Sequence, residues 1–176
     1  MKGIASLILI AFIVGCTPPK KEEAKAYHFY VDLDAEIEKI QNSDLQFVKI
    51  AERAGLVDTV IMSPNWEDEF GLFKKADINS TRSSARYELE TSNWGSKTTY
   101  RLSANEELNG TQWVEHEYEG EVLTRLEYMY SEKDVLRQLD ARLLYRPSYG
   151  LYQEVRTELQ GSGIQKTKVS LRFIAP

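Results

Sequence analysis

The sequence predicts an α+β fold: one or two N-terminal helices and a short aromatic helix packed on a curled antiparallel meander of about seven strands. Three observations in the 176-residue chain carry this reading. Up to Asn79 the apolar side chains recur at helical spacing; beyond it they alternate with polar ones at period two, and the alternation runs to the end of the chain. The alternating runs are joined by links of about two to four residues, which suit hairpins and are too short for parallel crossovers.

In chain order, Leu33, Ile37, Ile40, Phe47, Val48 and Ala51 follow the helical period from Asp34 to about Ala54, with Gly55 as a stop signal. Asn42-Ser43-Asp44 interrupts this pattern, and Ser43 with Gln46 has the form of a capping box, so the stretch accommodates one helix or two shorter ones. Residues 56–62 read as a short apolar link. Ser63-Pro64 then supplies a preferred cap followed by proline at the first helical position, and Trp66, Phe70 and Phe73 recur on one face behind Glu67, Asp68 and Glu69, whose charges suit a helix N-terminus. Residues 64–76 are therefore expected to form a helix.

After Asn79 the strands follow. Tyr87 and Leu89 alternate with Glu88 and Glu90, and Tyr100 and Leu102 with Thr99 and Arg101; Asn93-Trp94-Gly95-Ser96 turns between them. Asn109-Gly110 is the strongest hairpin signal. Val114, His116 and Tyr118 then face away from Glu115, Glu117 and Glu119, and Glu119-Gly120 leads into a strand carrying Leu126, Tyr128 and Tyr130. Further strands are expected over residues 135–145 and 151–159, and a last one directs Val169, Leu171 and Phe173 inward. Such a meander twists and tends to curl, so the helices are expected across its concave face. Ile37, Ile40, Phe47, Trp66, Phe70 and Phe73 either fill that face or line a cavity in it.

The N-terminus decides location. Lys2 supplies a positive start, residues 3–14 an apolar run shorter than the roughly 20 residues of a membrane-spanning helix, and Ile13-Val14-Gly15 precedes Cys16, the chain's one cysteine. Here the sequence resembles a bacterial lipoprotein at its lipobox. The resemblance implies that residues 1–15 are a signal peptide cleaved before Cys16, whose sulfur carries a diacylglycerol and whose new amine is acylated, with palmitate a typical chain. One acyl chain holds a protein only marginally, whereas three anchor it durably. Residues 16–26, rich in charge and holding Pro18 and Pro19, read as a flexible tether, and residues 27–176 as one domain opened by the aromatic run Tyr27-His28-Phe29-Tyr30. In lipoproteins of two-membraned bacteria an aspartate after the cysteine is the inner-membrane retention mark, so with Thr17 in that place the resemblance implies the outer membrane. Lys21-Glu22-Glu23 resembles the tag of surface-exposed lipoproteins of Bacteroidota, and residues 65–79 resemble a segment of small lipoproteins of the same group. Both the periplasmic face and the cell surface stay open, and the resemblance carries no catalytic residue.

Composition narrows the function. Past Cys16 only Lys2 is lost from the charged set, which leaves 21 basic against 27 acidic residues. A net negative chain is a poor partner for nucleic acid. With Cys16 acylated no thiol remains for a disulfide, so stability rests on the core. Glu115-His116-Glu117 is the densest group of metal-ligand types, but strand alternation throws His116 to the face opposite both glutamates. No metal, cofactor or catalytic residue is therefore assigned. Tyr128, Tyr130, Tyr145, Tyr149 and Tyr152 lie in three consecutive strands and a turn, where they form either a candidate binding surface or cross-strand aromatic pairs. The sequence thus favours a non-enzymatic outer-membrane lipoprotein that binds an envelope protein or other envelope component. The alternative is a carrier or chaperone for an apolar ligand or lipid, and an envelope hydrolase comes third.

Overall fold

Residues 31–43, 46–79 and 86–174 are described by the structure, a computed structural model. The segments expected to be signal peptide and tether, with Cys16 and the aromatic run 27–30, lie outside the described residues. The chain supplies α1 (Leu33–Gln41), β1 (Gln46–Arg53), β2 (Leu56–Met62), α2 (Trp66–Glu69), α3 (Gly71–Ala76), β3 (Tyr87–Trp94), β4 (Lys97–Ala104), β5 (Gly110–Glu119), β6 (Val122–Lys133), β7 (Arg137–Arg146), β8 (Gly150–Leu159) and β9 (Gly163–Ile174).

All strands belong to one antiparallel sheet in the order β2-β1-β9-β8-β7-β6-β5-β4-β3. The run β3 to β9 is the seven-strand meander that the period-two pattern predicts. Two further strands are a correction: the hairpin β1-β2 adds to the β9 edge, with Phe47 opposite Phe173 and Lys49 opposite Leu171. Residues 46–53 are thus strand where helical spacing was expected, and residues 56–62 are strand where a link was expected. Gly55 is no helix stop. Ala54 and Gly55 both take positive φ, as the two central residues of a tight hairpin turn with the twist of its strands. The capping-box reading also fails, since the Ser43 hydroxyl donates backward to the Ile40 carbonyl at 2.6 Å and Gln46 begins β1.

Asn109-Gly110 is not a two-residue turn. Residues 105–109 connect β4 to β5, and the Asn109 side chain accepts from the Lys133 backbone N–H at 2.7 Å, pinning that connection to β6. The expected helix over 64–76 is split at Phe70 into α2 and α3. A sharper constraint lies at Gly150, where φ is +126° and a Cβ would stand 2.0 Å from the Leu171 carbonyl oxygen. Only glycine lets β8 start that close to β9.

The helices lie on one face of the sheet. Asp32 caps α1 by accepting from the Ala35 N–H at 3.0 Å, and the helix buries Leu33, Ile37 and Ile40. Inward residues of the strands meet them: Leu102, Val114, Leu126, Tyr128, Leu143, Tyr145, Leu151 and Leu171 are buried in the same core. Polar clasps hold α2 and α3 to the sheet. Gln153 donates to the Glu69 carbonyl at 2.5 Å, Thr111 to the Ala76 carbonyl at 2.5 Å, and Lys49 pairs with Glu69.

Candidate functional site

Of the tyrosines expected to form a surface, Tyr128, Tyr130 and Tyr145 are buried on the helix-bearing face. Tyr128 sits edge-on to Phe73 at 6.1 Å and Tyr145 edge-on to Phe70 at 5.2 Å, while the Tyr130 hydroxyl donates to Glu132 at 3.2 Å. Tyr152 lies on the opposite face, half-buried, and donates to Glu154; Tyr149 is exposed in the β7-β8 turn beside the Arg172 guanidinium. The five therefore form no continuous exposed aromatic surface. The reason is register: Tyr128, Tyr130 and Tyr145 share the parity that faces the helices, and Tyr152 has the other.

The six residues set against the concave face are all buried. Phe47 meets Trp66 with ring centroids 4.6 Å apart, Trp66 meets Phe70 at 6.2 Å, and Phe70 meets Phe73 at 5.2 Å. With Ile37 and Ile40 they form a packed aromatic spine between the helices and β1, β7 and β6. Among the described residues two clefts lie at its margins. A cleft of about 510 Å³ runs between α1 and the β5-β6 and β7-β8 turns, walled by Val31, Ala35, Tyr118, Val122, Leu123 and Pro147. A smaller one of about 240 Å³ has Ile40, Phe47 and Trp66 in its wall.

Polar groups are few inside this core, and each is informative. Glu36, on α1, accepts from the Tyr145 hydroxyl at 3.1 Å and pairs with the exposed Lys39. Burial, and then the Glu36 charge, push the Tyr145 phenol up from its ordinary range. His116 is buried on the helix-bearing face opposite Leu126 and Tyr100, with its Nδ1 lacking any hydrogen-bond partner. Burial lowers its pKa to about 4, so the ring is neutral at physiological pH.

Glu115 and Glu117 point the other way, as alternation predicts, and join a charge lattice that no local pattern announced. Arg101 bonds Glu115 at 3.3 Å, Arg125 bonds Glu115 at 2.9 Å, and Lys97 bonds Glu117 at 2.8 Å. At its centre Glu127 is only 1 % exposed although it lies on the face without helices. Arg125 pairs with it, and Arg142 bonds it at 2.6 Å. Burial opposes the Glu127 charge, but the hydrogen bonds from the two guanidiniums outweigh it and hold the carboxyl below its usual range. Arg101 also stacks over Trp113 at 4.4 Å. Each carboxylate of the lattice thus faces at least one cation.

Among the described residues no three His, Cys, Asp or Glu side chains gather where they could hold a metal ion, and no helix is long and apolar enough to cross a membrane. Comparison with known protein-family models, curated proteins and solved structures gives no match.

Proposed function

We propose that the chain is a lipid-anchored protein of the bacterial outer membrane whose sheet-and-helix domain works by binding an envelope partner rather than by catalysis. The lipobox ending at Cys16 supports the location. What favours binding over carriage is the aromatic spine: the side chains that a carrier needs around an open cavity are spent on contacts with one another, from Phe47 to Phe73. A ligand could displace them only at the cost of a core, since each aromatic fully buried there contributes roughly 1.5–3 kcal/mol.

The test has two arms. Cells expressing the full chain are fed an alkyne analogue of palmitate; wild type is expected to take up label and sediment with outer membranes, and Cys16→Ser to lose the label. An unlabelled wild-type chain would sink the anchor. Crosslinking on intact cells is then expected to trap an envelope protein on the labelled chain.

A second reading, the carrier, draws on the cleft of about 510 Å³ beside α1, whose wall is mostly apolar. Native mass spectrometry of the full chain separates the two. A retained lipid, lost on Ala35→Trp, would favour carriage; a bare protein favours the binding domain.

A further inference from the structure

The edge strand β2 is built unlike the rest of the sheet. Among the described residues it pairs only with β1 and ends the strand order, so no described strand lies beside its outer row of backbone N–H and C=O groups. Its sequence, Leu-Val-Asp-Thr-Val-Ile-Met, carries one charge and no proline or lysine. Leu56 and Val60 are exposed on the helix-bearing side, and Val57 and Ile61 are 64 % and 67 % exposed on the other. A strand apolar on both faces is ordinarily covered on both, yet among the described residues β2 is exposed along nearly all its length. Edges left free are ordinarily short, charged or interrupted. The far edge obeys that rule: β3 presents Glu88 and Glu90.

We infer that β2 is an interface for a second copy of this chain, the two β2 strands pairing antiparallel about Thr59 to join two nine-stranded sheets into one. The sequence is self-complementary in that register. Thr59 meets Thr59 of the other copy, Val57 meets Ile61 twice, and Leu56 meets Met62 twice. Asp58 falls opposite Val60, so the one charge never faces its own copy. β-Branched residues opposite one another are favourable cross-strand pairs, whereas like charges directly opposite are not. On the face without helices the half-buried Val48 and Ile50 of β1 stand beside Ile61 and Thr59, so pairing fuses two apolar strips into one. The contact is isologous and closes on itself. Joining β2 to the β3 edge of another copy would instead propagate without end and set this apolar strand against Glu88 and Glu90.

The test is disulfide trapping of the full chain. Directly opposite residues of an antiparallel pair have Cα atoms about 4.5 or 5.5 Å apart, within the range a disulfide spans. Thr59→Cys, in extracts treated with a mild thiol oxidant, is expected to give a covalent dimer on a non-reducing gel. The Cys16→Ser parent, which has no cysteine, and Thr91→Cys on β3 in that background are expected to give none. Adding Val57→Lys with Ile61→Lys should cut the crosslink about tenfold or more, as should Val57→Glu with Ile61→Glu. Co-expressing the lysine and glutamate forms should restore it, which also shows that both variants fold. The absence of a Thr59→Cys dimer, a ladder of higher species, or crosslinking that ignores the introduced charges would each overturn the inference. All of these variants are made on the Cys16→Ser background, so none of the outcomes depends on acylation of Cys16.

Discussion

His116 is a histidine that the fold keeps neutral. Unfolded, its ring protonates around the ordinary value of 6.5; folded, burial holds it near 4. Between those values the unfolded chain binds a proton that the folded one does not, so this contribution to stability is complete above about pH 6.5 and is lost as the pH falls toward 4. The loss amounts to about 3 kcal/mol across the window. Urea titrations at pH 6.5 and 4.5 are expected to show a smaller difference for His116→Leu than for wild type; equal slopes would mean that the ring is reached by water. Glu127 has the opposite sign. Its folded value is depressed, so its ionised form stabilises at neutral pH and that support disappears in acid. Because Arg125 and Arg142 stay partly exposed, Glu127→Gln is expected to cost only about 1–2 kcal/mol in the same titration. A cost near zero would make the lattice ornamental. The opposite-face placement of His116 and the two glutamates was legible from alternation alone. The Glu127 cluster was not, because Arg142 arrives from a strand whose register no local signal sets.

At the scale of elements, the aromatic helix and the N-terminal hairpin behaved differently. Trp66, Phe70 and Phe73 at helical spacing identified a helical segment, and all three point into the core. The break at Phe70 follows from packing: its ring, fully buried, lies between Phe73 and Tyr145, each 5.2 Å away. Phe70→Ala removes the contact that joins α2, α3 and β7, and is expected to destabilise by about 3–5 kcal/mol in chemical denaturation. A cost below about 1 kcal/mol would mean that the two short helices seat without it. Residues 46–53 misled because Lys49 occupies an inward position, where its pairing with Glu69 hides the strand alternation. Phe47, Val48 and Ala51, three of the four apolar residues there, then imitate a helical face. Their true partners on β9 lie more than a hundred residues away in the chain, and local periodicity carries no information about such pairing.

For the whole molecule, the sheet order sets a gradient of stability. β7 and β6 sit mid-sheet beneath Phe70 and Phe73, while β3 closes the free end of the sheet and is largely exposed beyond Leu89. Hydrogen exchange is expected to be slowest in residues 139–145 and at least about tenfold faster in residues 90–94, because edge strands open without the core. Uniform protection would mean that the sheet opens only as one unit. A symmetric pair joined through β2 has its two-fold axis perpendicular to the sheet.

By itself the sequence determined that the chain has an antiparallel meander from Tyr87 onward, that a short aromatic helical segment precedes it, and which residues of each strand share a face. These are consequences of period and turn chemistry within about ten residues, the range over which side chains of one element repeat their environment. The lipobox was equally local, and the expectation that Cys16 anchors the chain rests on it. Tertiary structure alone decided that residues 46–62 are a hairpin on the β9 edge, that Tyr128, Tyr130 and Tyr145 are core instead of surface, and that, among the described residues, β2 ends the sheet with its apolar side chains exposed. Each depends on which strand lies beside which and on which face the helices cover, and that is settled by the burial free energy of the assembled chain.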